Sequence, residues 1–101
     1  MIAYLRGMII HKAFNYLVLE TGGLGYKIYA SPNLINDLKA GAEVEIYTYH
    51  VVREDASDLY GFKSFADLEL FEMLLTVSGI GPKSAASILA TASPSDVKEA
   101  I

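Results

Sequence analysis

The sequence predicts two parts of different fold class: an all-β five-stranded barrel over residues 1–62, then an all-α segment over residues 63–101. Short runs rich in β-branched residues, leucine and tyrosine recur through the first part, separated by glycine and proline breakers. This pattern is typical of strands. At Ser64 the spacing of apolar residues changes from the alternation of a strand to that of a helix.

The first part contains signals for five strands and one short helix. A turn at Phe14-Asn15 joins the first two strands, Ser31-Pro32-Asn33 starts the short helix, and Gly41 is expected to end it. A helix between the third and fourth of five strands is the layout of a small Greek-key barrel of the OB type (OB-fold). An open five-stranded sheet with one helix is the alternative. The predicted strands cover residues 1–10, 16–20, 26–30, 43–51 and 59–62.

The second part begins with a helix-start signal at Ser64, followed three residues later by Asp67 in a variant of the capping box. Apolar residues then recur at helical spacing through Leu75, and the amphipathic run ends at Ser78. A second helix is predicted over residues 82–90, and a third starts at residues 93–96. Because the third helix has hardly begun where the sequence stops, we expect a piece of a longer protein.

The turn between the first two of these helices carries the strongest functional signal. Gly79 and Gly81 permit a tight reversal, Ile80 between them can fix the turn to a core, and Pro82 suits the first position of a helix. Backbone N–H groups at the start of the second helix would then face solvent. Such a site attracts anions, phosphate above all.

Two side chains after this turn favour a bound phosphate over a plain turn. First turns of helices prefer Asp or Glu, whereas this one has Lys83 and no acid. A cation there costs a few tenths to ~1 kcal/mol, which is understandable if Lys83, the Ser84 hydroxyl and the backbone N–H groups share one phosphate. The alternative is a structural corner with a solvated lysine.

Composition limits the partners that the chain can have. The 101 residues have a net charge of −4, with 52% hydrophobic and 20% charged residues, as in a globular protein. The net negative charge counts against a protein that binds nucleic acid over its whole surface. Any nucleic acid must therefore bind through local sites on one face. No apolar run approaches the ~18 residues of a membrane span. With no cysteine in the chain, a cytoplasmic location is expected.

Other segments lack the spacing of a catalytic, cofactor or metal site. Gly22 to Gly25 is a glycine-rich turn, because a dinucleotide fingerprint has different spacing and precedes a helix. His11 and His50 have no partner at ligand spacing. We therefore expect no enzyme activity and no cofactor. Four alternating tyrosines could stack bases, although barrel packing is their commoner use; they are Tyr26, Tyr29, Tyr47 and Tyr49.

Arg53-Glu54-Asp55 places two adjacent acids at the tip of the last predicted strand pair. Ordinary turn chemistry is the simpler interpretation, because acids are favoured in turns.

These segments together resemble the RuvA family of bacterial Holliday-junction proteins, and the resemblance runs in order along the whole chain. The segments that carry it are Met1-Ile2, Leu5-Arg6-Gly7, Gly22-Gly23-Leu24-Gly25-Tyr26, Val51-Val52-Arg53-Glu54-Asp55, Leu59-Tyr60-Gly61-Phe62 and Gly79-Ile80-Gly81-Pro82-Lys83-Ser84-Ala85.

The resemblance implies an OB-fold domain over residues 1–62 and, from residue 63, the first of two DNA-binding helix-hairpin-helix motifs. The second motif and a third domain that binds the RuvB motor would be missing here. Two sets of residues match functional motifs of the family: Gly79, Gly81, Lys83 and Ser84 match its phosphate-binding hairpin, and Glu54 and Asp55 match its acidic pin.

The resemblance also implies partners: four-way junction DNA, a RuvB hexamer, the RuvC resolvase, and further copies of the chain in one or two tetramers. ATP and Mg²⁺ would serve RuvB, and this subunit would be non-catalytic, acting in recombination, DNA repair and the SOS response. Two rival functions stay open. A protein-interaction module would suit the high apolar content, and an accessory domain of a nuclease or ligase fits the helices but not the first 62 residues.

Overall fold

The computed structural model describes residues 1–91, and within them five strands and three helices follow one another. The third helix predicted from residue 93 lies outside the described residues. The elements are β1 (Tyr4–Lys12), β2 (Tyr16–Thr21), β3 (Leu24–Tyr29), α1 (Pro32–Asp37), β4 (Glu43–Val52), β5 (Ser57–Phe62), α2 (Phe65–Leu75) and α3 (Pro82–Thr91).

The five strands close into a barrel in the order β1-β2-β3-β5-β4. The pairs β1–β2, β2–β3 and β4–β5 are antiparallel, and β1 closes the ring by pairing antiparallel with β4. The remaining contact is a short parallel pairing of β3 with β5, in which Ile28 lies opposite Leu59. The closed barrel is consistent with the OB type, and the open-sheet alternative is wrong.

Aliphatic side chains fill the barrel because alternate residues of each strand point inward. Within this core Gly61 has no room for a side chain. A Cβ there would lie 2.6 Å from Cγ2 of Ile28 and 2.8 Å from Cγ2 of Ile46. The absence of a side chain at Gly61 therefore lets β5 pass close to the core. The buried core residues are Leu5, Ile9, Leu17, Leu19, Ile28, Ile35, Ile46 and Leu59.

The short helix α1 begins as predicted and ends earlier than predicted. The hydroxyl of Ser31 caps it by accepting a hydrogen bond from the N–H of Leu34 at 3.2 Å. Leu38 is already extended, so the helix ends before the glycine that was expected to end it. Gly41 lies in the following turn at φ +85°, where its N–H donates to the carbonyl of Ile9 on β1 at 2.8 Å.

The helices α2 and α3 pack on the outer surface of the barrel around a second, aromatic cluster. Phe71 of α2 is fully buried there, and its ring centroid lies 4.9 Å from that of Phe62, 5.3 Å from that of Tyr49 and 5.6 Å from that of Tyr60. Ser64 caps α2 by accepting from the N–H of Asp67, as predicted. The buried members of this cluster are Tyr60, Leu70, Phe71, Leu74 and Ala85.

The four alternating tyrosines all have packing partners, which supports their structural interpretation. Tyr26 packs against the aliphatic barrel core, and Tyr29 packs against the aromatic cluster. Tyr47 lies 4.3 Å from the ring of Phe65, and Tyr49 contacts Phe71. The change from strands to helices between residues 62 and 65 agrees with the sequence, whereas the division into separate domains stays a prediction.

Candidate functional site

The α2–α3 turn (residues 76–81) reverses the chain through one glycine. Helix α2 ends at Leu75, three residues before the predicted end at Ser78, and Thr76 caps it. Gly79 has φ +84°, a left-handed conformation that glycine adopts without a Cβ penalty. Ile80 is half-buried and packs against the aromatic cluster, which confirms the prediction that it fixes the turn to a core.

Gly81 has a different role from Gly79. It does not have a positive φ, so of the two glycines predicted to permit the reversal only Gly79 adopts the left-handed conformation. Its carbonyl accepts the N–H of Ala85 at 2.9 Å, which makes Gly81 the residue that caps α3. The space where its Cβ would stand has no atom within 4 Å. The missing side chain therefore leaves the backbone open to a ligand.

The first turn of α3 exposes two N–H groups beside a cation. Pro82 occupies the first helical position, and the first helical hydrogen bond reaches back from Ala85. The N–H groups of Lys83 and Ser84 precede that bond and have no partner within the helix. Both side chains are exposed, and the turn contains no acid. The helix dipole adds partial positive charge at the same place.

This turn and the barrel enclose a depression of about 320 Å³, called here the anion depression. Three of the four predicted phosphate-binding residues line it, whereas Gly79 lies outside the lining. The barrel contributes residues that no pattern in the sequence connects with the turn. The lining residues are Gly81, Pro82, Lys83 and Ser84 from the helical side, and Arg53, Asp58 and Tyr60 from the barrel.

The charge of the anion depression favours an anion. Its lining residues include two cations, Arg53 and Lys83, and one carboxylate, that of Asp58. A wider depression of about 800 Å³ between the barrel and the helices is less suitable, because its walls combine two lysines with three aspartates. Within residues 1–91 the ion pair found joins Arg6 to Glu43 at 3.7 Å. Arg53 and Lys83 therefore have no carboxylate partner among the described residues.

Tyr60 lines the anion depression and is buried. Burial raises the pKa of its hydroxyl above the ordinary value, the charge of Asp58 and the neighbouring Tyr29 raise it further, and the guanidinium of Arg53 acts in the opposite direction. An ordinary tyrosine with a pKa of ~10 is already neutral at physiological pH, and the raised pKa keeps the Tyr60 hydroxyl protonated to still higher pH. Arg53 and Asp58 thus act on the same hydroxyl in opposite directions.

The acidic loop (residues 53–56) connects β4 to β5. Val52 and Ser57 form the last pair of the strands, and the N–H of Arg53 donates to the carbonyl of Ala56 at 2.7 Å across the loop. Glu54 and Asp55 are both exposed, which places two adjacent carboxylates at the loop tip. Their role as a pin, like the phosphate role of the α2–α3 turn, stays a prediction.

The remaining candidates have structural partners. His50 accepts the N–H of Ile2 at Nδ1 (3.3 Å), and its Nε2 lies 2.7 Å from the hydroxyl of Ser57, which agrees with a strand-packing role. In the described part of the chain no three His, Cys, Asp or Glu side chains stand together as metal ligands would. Nor does any helix up to residue 91 have the length and apolar character needed to cross a membrane.

The fold and the site together define a class: a small closed barrel consistent with the OB type, with a pair of helices packed on its outer face. Residues 1–61 match the family model of the RuvA N-terminal domain, and the chain belongs to the RuvA family.

Relatives named "Holliday junction branch migration complex subunit RuvA" match along nearly all of the chain. That of Halothermothrix orenii is 48% identical over 101 residues, covering 100% of this chain and 52% of the relative. That of Ruminiclostridium cellulolyticum is 47% identical over 96 residues, covering 94% and 48%. That of Chloroflexus aurantiacus is 44% identical over 102 residues, covering 100% and 52%. The chain thus spans about half the length of these relatives.

Proposed function

We propose that the chain is the DNA-binding part of a RuvA subunit, which binds four-way junctions by their shape and loads the RuvB motor during recombination and repair in the cytoplasm. It acts as a non-catalytic member of a homotetramer, and ATP hydrolysis belongs to RuvB. The names of the relatives support the junction role. The anion depression supports the means of binding.

The observation that carries this proposal is the open start of α3. Exposed N–H groups, an ammonium group without a described carboxylate partner and a glycine that leaves the backbone accessible all meet at one point. These groups offer hydrogen-bond donors and positive charge. They therefore suit the oxygens of one phosphate group better than the edge of a base, which also presents donors. Phosphate contacts position a duplex without reading its sequence, so binding should depend on DNA structure and on salt.

The acidic loop gives the second element of the proposal. Two unit charges 4 Å apart repel by only ~1 kcal/mol in water. In a tetramer, however, four loops would bring Glu54 and Asp55 of each copy toward a partly dehydrated junction centre. There the carboxylates repel the DNA backbone and hold the crossover open. On this account the acids shape the junction and do not contribute to affinity.

Reversing the charge of Lys83 tests the phosphate site. Lys83→Glu should weaken binding to a four-way junction and to a linear duplex of equal length by about tenfold to a hundredfold, since charged hydrogen bonds contribute ~1.5–3 kcal/mol. Fluorescence anisotropy at moderate salt measures both affinities. Lys39→Glu is the matched control, because Lys39 is exposed and does not line the anion depression. Unchanged affinity of Lys83→Glu would show that the site is assigned wrongly.

Neutralising the acidic loop tests the pin. The double variant Glu54→Gln with Asp55→Asn should bind the junction as tightly as the unaltered chain or a few-fold more tightly, because it removes repulsion from phosphates. The same anisotropy titration measures this change, and the linear duplex serves as the reference. A large loss of affinity would contradict a repulsive role.

A protein-interaction module is the second candidate, and exposed apolar residues favour it. Met8, Ile10 and Leu24 are 48%, 54% and 61% exposed on the barrel. Light scattering with and without junction DNA separates the two functions. Assembly without DNA, together with equal weak binding to junction and duplex, would favour the interaction module.

A further inference from the structure

Arg53 lies at the boundary between the barrel and the α2–α3 turn. It is the first residue after β4, and the hydrogen bond from its N–H to Ala56 holds its backbone at the base of the acidic loop. Arg53 lines the anion depression together with Lys83 and Ser84. The sequence alone does not reveal this proximity, because Lys83 is thirty positions after Arg53.

The surroundings of Arg53 leave its charge available. Its side chain is exposed, and no carboxylate within residues 1–91 forms an ion pair with it. Its charge reaches the hydroxyl of Tyr60, whose pKa it lowers against the effects of burial and of Asp58. The guanidinium therefore acts on a group that lines the anion depression.

We propose that Arg53 is a further phosphate-contacting residue, supplied by the barrel to the site at the start of α3; this inference rests on the proposed function. Lys83 and the free N–H groups approach a phosphate from the helical side, and Arg53 approaches it from the barrel. A guanidinium presents donors in a planar fork that matches two phosphate oxygens, whereas the Lys83 ammonium acts as a point charge.

This assignment gives the acidic loop two opposite effects on the DNA backbone. At its base Arg53 attracts a phosphate into the anion depression, and at its tip Glu54 and Asp55 repel phosphates. The simpler alternative is that Arg53 only offsets the charge of these neighbouring acids. The two accounts predict different effects of an Arg53 substitution on DNA affinity once Glu54 and Asp55 are neutralised.

Nuclear magnetic resonance tests the contact directly on the 101-residue chain. A short DNA duplex is added while the backbone amides of Gly81, Lys83 and Ser84 and the Nε–Hε group of Arg53 are followed in proton–nitrogen spectra. We expect the amides and the Arg53 group to shift together along one binding curve. If the amides shift and the Arg53 group does not, this inference is wrong and the proposed function stands. If none of them shifts, the proposed function fails and Arg53 fails with it.

Substitutions then separate contact from charge compensation. Arg53→Ala should weaken junction binding by about tenfold, and Arg53→Lys should weaken it less because charge is retained. The loss should persist in the background Glu54→Gln with Asp55→Asn. The loss of affinity caused by Arg53→Ala should be smaller in the background Lys83→Ala, because the effects of two residues that contact one phosphate are not additive.

Arg6→Ala is the matched control, because Arg6 is exposed, pairs with Glu43 and does not line the anion depression. It should leave the affinity unchanged, and all single variants should keep the melting temperature of the parent chain. Disappearance of the Arg53→Ala effect in the neutralised acidic loop would show charge compensation alone and overturn the inference. An Arg53→Ala loss equal to that of Arg6→Ala would overturn it as well.

Discussion

The barrel and the pair of helices are held together by different means. Each strand of the barrel pairs with a neighbour on both sides, and the core inside the ring is aliphatic. The helices α2 and α3 contact each other, but the aromatic cluster that buries them includes tyrosines from the outer surface of the barrel. The barrel can thus form its core without the helices, whereas the helices need the barrel.

A matched pair of leucines tests this asymmetry with the largest expected effect. Leu19 in the barrel and Leu74 in α2 are both buried, with exposed fractions of 0% and 2%, so either change to alanine should cost about 2–5 kcal/mol of stability. Hydrogen exchange of the amides measures where that loss falls. Leu19→Ala should reduce protection in the strands and in both helices. Leu74→Ala should reduce it in α2 and α3 and leave β1 to β3 protected.

Equal loss of protection along the whole chain in Leu74→Ala would show that the two regions unfold as one unit. The comparison between barrel and helices would then describe packing only, and not the order in which the regions depend on each other.

The two glycines of the α2–α3 turn allow a finer test. Gly79→Ala should lower the free energy of unfolding by about 1–2 kcal/mol, because φ +84° is strained for alanine although no atom obstructs its Cβ. Gly81→Ala should leave stability nearly unchanged and weaken DNA binding, because its methyl group would cover the open backbone. Urea unfolding and anisotropy measure the two effects. A Gly81→Ala variant that binds normally would show that the phosphate does not approach this residue.

Tyr60, which contacts both regions, gives the smallest expected effect. Its raised pKa means that the folded chain keeps the hydroxyl proton to higher pH than the unfolded chain does. The resulting stabilisation is complete below the ordinary tyrosine pKa of ~10 and is lost as the pH rises through the folded value. Urea unfolding at neutral and at alkaline pH should therefore show a smaller alkaline decrease for Tyr60→Phe. An unchanged decrease would show that another group is responsible.

Local patterns in the sequence predicted the elements well because the forces that start and extend them are local. The hydroxyls of Ser31 and Ser64 cap helices where their neighbours indicated, and alternation identified β4. Helix α1 ends earlier than predicted because Leu38 leaves the helical conformation before Gly41, the glycine that marks the break in the sequence. A glycine in a sequence shows that a turn is permitted, not where it begins.

Closure of the barrel and half of the candidate site depend on distant pairings. Neither the β1–β4 pairing nor the parallel β3–β5 contact has a signature in adjacent residues, so the open sheet stayed possible. The packing of α2 and α3 against the barrel brings Arg53 to Lys83, and no spacing in the sequence indicates this proximity. Gly79 and Gly81 look equivalent in the sequence. Only the backbone angles show that Gly79 adopts a left-handed conformation and that Gly81 does not.

The junction between β5 and α2 has a further consequence. Only Lys63 and Ser64 lie between the two elements, and the aromatic cluster fastens the helix to the strand on either side of this short connection. The connection therefore leaves α2 little freedom to move relative to β5. Under the proposed function, a DNA arm bound at the start of α3 would thereby be held in a set position relative to the barrel that carries the two carboxylates.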